Sequence, residues 1–315
     1  MKIAVLKGGR GLERQVSLSS GARVEDALAG LGHEMIAIDV GADLVATLKS
    51  VRPEVAFVAL HGAGGEDGTV QELLEILAIP YTGPGVRACL RSRDKVAAKH
   101  ELRTAGVPTP DWAAFNELAF RELGAAEALS EIEAGLGFPL VVKPAAGGSS
   151  LGVRFAATAD DVPEALVAAF SYDDRVLLER HVDGRELAIS MLNGIALPAV
   201  EIRPREDDRF SYEARYEIGR TEYVCPAELG AAEGPVLDAA LRTWDALGFD
   251  GFGRVDMILG ADGPQVLEAD AIPGLTDTSL LPMAAEGAGL EFEQLCERII
   301  ELALSRPTAA PRPTG

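Results

Sequence analysis

The first 88 residues constrain the fold most, because apolar and helical segments alternate there. Three apolar runs, MKIAVL, EMIAIDV and VAFVAL, are separated by helical stretches, Arg14 to Leu31 and Asp43 to Val51. A helix from Thr69 to Leu77 and a short strand, IPYTG, follow. Strands alternating with helices predict right-handed βαβ units and a parallel sheet. Such sheets bind ligands beyond the carboxyl ends of their strands, so the post-strand loops Lys7–Glu13 and His61–Gly68 are expected at the binding edge. Gly8, Gly9 and Gly11 do not spell a dinucleotide fingerprint, and no strand-terminal acid sits at the required distance, which disfavours a nicotinamide-dependent oxidoreductase. Glu13 at a helix start either partners the helix dipole or holds a substrate ammonium. His61 is either a turn histidine or a ligand contact.

Composition narrows the class. A net charge of −20 over 315 residues disfavours a nucleic-acid or anionic-membrane surface. No apolar run approaches a membrane span, and MKIAVLKGGR lacks a signal-peptide core. Cys89, Cys225 and Cys296 are isolated, which fits a reducing cytoplasm and argues against structural zinc. Only six of 29 basic residues are lysine, so a lysine beside a special loop stands out against a background of arginine.

From Cys89 to about Tyr172 the pattern changes. A helix from Arg91 to Ala105 leads through a proline-bracketed loop to a strand. Helices around Arg121 and from Ala125 to Leu136 follow, and a further helix, Val162 to Ala169, starts near Asp160 and Asp161. Between them FPLVVKPAAGGSSLGVRFA reads as strand, Gly/Ser loop, strand. The loop Gly147–Ser150 is rich in backbone donors, and Lys143 lies beside it; the pair suits a phosphate, whereas a plain hairpin with a mobile tip needs neither. No GK[ST] follows, so this is not a P-loop.

The last third holds a helix from Pro235 to Leu247, a final helix from Glu291 to Leu304, a loop from Arg205 to Glu222 and an acidic hairpin, Phe252 to Pro282. Arg254 and Asp256 share one strand face, as do Glu268 and Asp270. A three-residue turn, Ala261-Asp262-Gly263, would set Asp256 opposite Glu268 and Arg254 opposite Asp270. A two-residue turn would slip the register and scatter them. The first register crowds three carboxylates, a set suited to magnesium or manganese; the alternative is a solvated acidic hairpin.

Taken in order, LERQVSLSSG, LHGAGGEDGTVQELLE, DKVAAKH, FPLVVKPAAGGSSLGV, LLERHVDGRELAIS, YEARYEIGRTEYVCPA, GFGRVDMIL and LEADAIPGLTDTSLLP resemble the ATP-grasp superfamily and, within it, the D-alanine–D-alanine ligase family, from residue 1 to about 305. The resemblance implies an α/β protein, α+β in its ATP-grasp part, with three domains. These are a Rossmann-like domain over 1–88, a central subdomain with a lid loop over 89–172, and a C-terminal subdomain carrying metal and substrate over 173–305. The tail 306–315 is expected to be disordered. The implied reaction joins two D-alanines with ATP and two magnesium or manganese ions, through an acyl phosphate, to give the dipeptide of peptidoglycan. The family also implies a homodimer.

By position, Lys95, Lys143 and Arg215 match phosphate-site cations, with Gly147, Gly148 and Ser150 in the lid. Glu179 and Glu186 match the adenine and ribose positions, and Asp256, Glu268 and Asp270 the metal ligands. Glu13, Ser149 and Tyr216 match a hydrogen-bonded trio at the first substrate, beside His61 and Val16. Arg254 and Gly274 match the groups around the tetrahedral intermediate, and Ser279 and Leu280 the grip on the second carboxylate. Departures from the family pattern fall at Arg215, usually Lys, at Asp270, usually Asn, at Gly147, usually acidic, and in the loop AIPGLTDTS. They leave room for a D-serine or D-lactate acceptor, or for a nucleotide-binding homologue with weak ligase activity.

Overall fold

The computed structural model describes residues 1–204 and 221–306. Most of the expected loop Arg205–Glu222, including Arg215 and Tyr216, lies outside the described residues, as does the tail beyond Arg306. Arg306 itself is held: its guanidinium donates to the Gly83 carbonyl and to Asp250 Oδ1, the latter at 2.9 Å.

Strands β1 (Lys2–Lys7), β2 (Glu34–Asp39) and β3 (Val55–Val58) form a parallel sheet in the order β2-β1-β3. β3 and the four central residues of β1, Ile3–Leu6, are apolar and buried because helices cover both faces of a parallel sheet. The expected strand IPYTG is reduced to one parallel bridge, Tyr81 with Ala56, because Pro80 and Pro84 bracket it and proline cannot donate to a ladder.

A second sheet, order β4-β7-β5-β6, comprises β4 (Trp112–Asn116), β5 (Leu140–Pro144), β6 (Arg154–Ala156) and β7 (Arg175–Arg180). The third is antiparallel, ordered β11-β10-β8-β12-β13, with β9 beside β8. Its strands are β8 (Arg185–Leu192), β9 (Ile195–Ala196), β10 (Val200–Pro204), β11 (Thr221–Val224), β12 (Phe252–Gly260) and β13 (Gly263–Asp270). One apolar core runs from β1 and β3 to β8, β12 and the final helix, Phe292–Ser305. A smaller core lies under β5 and β7.

The single helix expected over Arg91–Ala105 is two, Val86–Arg93 and Lys95–Thr104. Asp94 separates them with extended backbone, and its Oδ1 accepts from the N–H groups of Val96 and Ala97 at 2.8 and 3.0 Å. This is the cap that a new helix start needs.

Candidate active site

The acidic hairpin reaches its expected pairing by a different route. Gly260 pairs with Gly263, so the turn has two residues, not three. That turn alone would set Asp256 opposite Leu267. A bulge at Leu267 absorbs one residue, and from there Asp256 faces Glu268 and Arg254 faces Asp270. The guanidinium of Arg254 donates to both oxygens of Asp256, at 2.6 and 2.7 Å, and lies 3.3 Å from Asp270 Oδ2. Burial opposes its charge, but Asp256, Asp270 and Glu268 hold it firmly protonated. Burial pushes the Asp270 carboxyl up to about 7 against the pull of Arg254, with Glu66 and Asp256 adding to the rise.

A cleft opens on this hairpin in two lobes that meet at Lys95, Gly147, Gly148 and Glu268. Lys95 Nζ donates to the Gly147 carbonyl at 2.6 Å and lies 2.8 Å from Glu268 Oε2, tying the Gly/Ser loop to the hairpin. Its helix is placed from two strands: Lys95 N–H donates to the carbonyl of Ala145, just past β5, at 2.8 Å, and Arg175 Nη1 at the start of β7 donates to Asp94 Oδ2 at 2.8 Å.

The first lobe is polar. Ser149 Oγ donates to Glu13 Oε1 at 2.5 Å. Two glycines make room for that carboxylate: a Cβ on Gly62 would sit 2.5 Å from Glu13 Oε2, and one on Gly148 would sit 2.7 Å from Oε1. Ser149 and Ser150 are both left-handed, at φ 55° and 56°, the backbone strain that collects at ligand-clamping loops. Burial and Glu66 raise the Glu13 carboxyl, and the Ser149 bond partly offsets them. His61 is buried; its Nδ1 is 3.0 Å from the Ile272 carbonyl and its Nε2 is 3.0 Å from Ser20 Oγ, which accepts from Leu275 N–H at 3.2 Å. Arg23 donates to the carbonyls of Leu275 and Thr276, at 3.1 and 3.0 Å. The parallel-sheet half thus fixes the loop 271–279. In that loop Ser279 Oγ accepts from Thr276 N–H at 3.0 Å and fills the space a Cβ on Gly274 would need.

The second lobe is more apolar, with Val141, Leu151, Val182, Ile258 and the bulged Leu267 around Lys143, Glu179 and Glu186. Glu179 is buried, and Lys143 Nζ donates to its Oε1 at 2.7 Å.

Among the described residues no three of His, Cys, Asp and Glu converge as a metal cluster. Asp256 is turned to Arg254 and does not line the cleft, while Glu268 faces Lys95. The donor set nevertheless fits magnesium: Glu268 and Asp270 open on the cleft with oxygen ligands only, and each acid is held by a cation that an arriving ion can replace. The Leu267 bulge is what sets Asp256 opposite Glu268 and Arg254 opposite Asp270.

The structure brings Glu13, Val16, His61, Lys95, Gly147, Gly148, Ser149, Arg254, Glu268, Asp270, Gly274, Ser279 and Leu280 to the first lobe. Lys143, Ser150, Glu179 and Glu186 line the second, so Asp256 is the one described site residue off the cleft wall. Sequence reasoning passed over Glu66 and Arg93, which also line the first lobe; Glu66 Oε2 accepts from Arg93 at 3.2 Å, and its Oε1 is 3.6 Å from His61 Nδ1. Burial opposes the charge of both partners, yet each favours the charged form of the other: Glu66 is lowered and His61 is raised. The spacing of Glu66, five residues after His61 in one loop, was the available signal.

A mixed α/β frame, a two-lobed cleft, two lysines and an acidic hairpin define an ATP-grasp ligase. Residues 102–301 match the family model of the D-ala D-ala ligase C-terminus, and residues 45–84 that of the N-terminus. The chain is 42% identical over 309 residues to the D-alanine–D-alanine ligase of Gloeobacter violaceus, covering 96% of this chain and 100% of that one. It matches the structure of the Bacillus anthracis D-alanine–D-alanine ligase with a TM-score of 0.85 at 36% identity, covering 96% and 97% of the two chains. The same ligase complexed with ATP gives a TM-score of 0.82 at 34% identity, with the same coverage. The chain belongs to the D-alanine–D-alanine ligase family.

Proposed function

We propose that this protein joins two D-alanines at the expense of ATP, making the dipeptide of peptidoglycan precursors. The observation that carries the reading is the cleft itself: an apolar lobe with a buried Lys–Glu pair meets a polar lobe at Lys95 and Glu268. Phosphoryl and acyl transfer need that junction between a triphosphate and two oriented amino acids.

In this reading the carboxylate of the first D-alanine attacks the γ-phosphorus, the bond to the β-bridging oxygen breaks, and ADP leaves. The amine of the second D-alanine then attacks the acyl carbon, loses a proton and expels phosphate. Glu13, fixed by Ser149, receives the first ammonium, with His61 and Val16 beside it. Arg254 and the backbone at Gly274 face the carboxylate and the tetrahedral centre that forms from it, and Ser279 and Leu280 orient the second carboxylate. Lys95 and Lys143 take the phosphates, Glu179 and Glu186 the adenosine, and Gly147–Ser150 closes over them to exclude water. Asp256, Glu268 and Asp270 would hold magnesium, which supplies charge neutralisation at the triphosphate. Arg215 and Tyr216 belong to this proposal from sequence alone.

The division into 1–88, 89–172 and 173–305, a cytoplasmic location and a homodimer form part of the same proposal; no helix among the described residues is long and apolar enough to cross a membrane. The test is phosphate release with ATP and magnesium, first with D-alanine alone, then with D-serine or D-lactate added. D-alanine-dependent release with D-alanyl-D-alanine as product is expected. No release with D-alanine at any concentration would end the reading, and a preference for either added acceptor would transfer it to the alternative ligase.

A further inference from the structure

The helix Lys95–Thr104 presents two lysines one turn apart, so both leave it on one face. Lys95 enters the cleft. Lys99 is fully buried and lies behind it. Its Nζ is 2.6 Å from Glu179 Oε2 and donates to Thr109 Oγ1 at 2.5 Å and to the Pro110 carbonyl at 3.1 Å. Trp112 adds a ring face 5.2 Å from the ammonium. Glu179 thus has one lysine on each oxygen, and of the two only Lys143 lines the cleft.

We propose that Lys99 is a positioning residue for nucleotide binding: it is the permanent counter-ion of Glu179, which frees Lys143 to leave that carboxylate for a phosphate. The role rests on the nucleotide reading of the apolar lobe. Charge counting carries it. With both lysines present the cluster has one positive charge in excess, which an incoming phosphate removes by drawing Lys143 away. Glu179 and Lys99 then remain as a neutral buried pair. Without Lys99, the departure of Lys143 would strand a buried carboxylate, a state strongly disfavoured in a low-dielectric interior. Burial alone would raise the Glu179 carboxyl, but Lys143 and Lys99 together hold it below its ordinary value. Burial, helped by Lys143 and Arg103, pushes Lys99 down to about 8 against the pull of Glu179, so it keeps its proton at neutral pH. Thr109 extends the hold: its hydroxyl donates to the Val266 carbonyl at 2.8 Å, one residue before the bulged Leu267 on the opposite side of the lobe.

The experiment measures ADP affinity in the presence of magnesium by titration calorimetry on the full chain. The variants are Lys99→Met, Glu179→Gln and their combination, with KM values for ATP and D-alanine alongside. Lys99→Met is expected to weaken ADP at least tenfold and raise the ATP KM, with the D-alanine KM unchanged. In the Glu179→Gln background the same change should alter ADP affinity less than twofold, because no carboxylate needs a counter-ion. Equal losses in both backgrounds would reduce Lys99 to a packing role, and an unaltered ADP affinity in Lys99→Met would remove the role altogether. Should Lys99→Met fail to fold, Thr109→Val takes its place: a severalfold loss confined to the Glu179 background supports the role, and an equal loss or none overturns it. A wild-type chain that binds no ADP would instead overturn the nucleotide reading on which the role rests.

Discussion

Asp256 and Glu268 face each other across a hairpin whose two-residue turn, taken alone, would hold them out of register; Leu267, bulged between them, restores the pairing. The extra residue does a second thing, because Leu267 lines the apolar lobe beside Ile258. One irregularity therefore sets Glu268 and Asp270 across from Asp256 and Arg254 and places an apolar side chain on the second lobe, a use of bulges common beside active sites.

Truncating Leu267 should separate these two effects. Leu267→Ala keeps the bulge and removes most of the apolar contact, so the ATP KM is expected to rise about tenfold, the scale of roughly 1–2 kcal/mol of lost apolar contact. The D-alanine KM should stay put. Steady-state kinetics varying each substrate checks this, and a change confined to D-alanine would mean Leu267 serves the other lobe.

The bulge also marks the limit of what the chain revealed before folding. The parallel sheet was legible because β3 and Ile3–Leu6 of β1 are buried on both faces and read as continuous apolar runs. The pairing of Asp256 with Glu268 was anticipated through the wrong turn: periodicity gives the faces of strands, whereas a one-residue bulge carries no compositional mark. Lys99 was seen as one of six lysines, but its burial depends on Glu179 of β7 converging with the stretch from Thr109 to Trp112. The break at Asp94 was legible in principle, since Asp before a lysine-rich helix start is a cap signal. Ser20 and Arg23 were invisible as site residues because Arg23 donates to carbonyls 252 and 253 residues away, and Ser20 joins His61 to an amide 255 residues away.

Gly62 is expected to be irreplaceable for two reasons that a neighbour can separate. Its φ is +71°, and a Cβ there would lie 2.5 Å from Glu13 Oε2. Gly64, in the same loop at φ +86°, has nothing within 4 Å of its Cβ position. Both alanine variants should lose about 1 kcal/mol to left-handed backbone strain. Only Gly62→Ala should also displace Glu13 from Ser149 and lower ligation at least tenfold, with a raised D-alanine KM. Thermal melts and kinetics on both variants decide it; equal activity would show that Glu13 does not need that space.

Asp94 joins stability to catalysis. Its Oδ1 caps the helix that carries Lys95, and its Oδ2 accepts from Arg175. Asp94→Ala is expected to cost about 1–2 kcal/mol, the value of a cap with a half-exposed ion pair, and to raise the ATP KM because the first turn positions Lys95. Asp94→Asn keeps the cap and should recover most of the stability. Urea midpoints and ATP kinetics test the pair, and an alanine variant with wild-type KM would uncouple the cap from the site.

Glu201 supplies a pH dependence whose sign can be fixed in advance. Arg185 donates to both of its oxygens at 2.8 and 2.7 Å, and Arg203 adds a bond of 2.7 Å. Arg185 chiefly, with Arg203, holds its carboxyl down at about 2 against an ordinary 4.5. A folded-state value below the unfolded one means that the unfolded chain takes up the proton first as pH falls. The contribution is therefore complete above about pH 4.5 and is lost progressively between 4.5 and 2. Both arginines are more than a third exposed, so solvent screening holds the contribution to about 1–2 kcal/mol. Glu201→Gln should be less stable than wild type by that amount at pH 6–7, and the two denaturation midpoints should converge as pH is lowered through that window. A gap that stays constant down to pH 2.5 would show that the carboxylate charge contributes nothing and that Glu201 acts by packing alone.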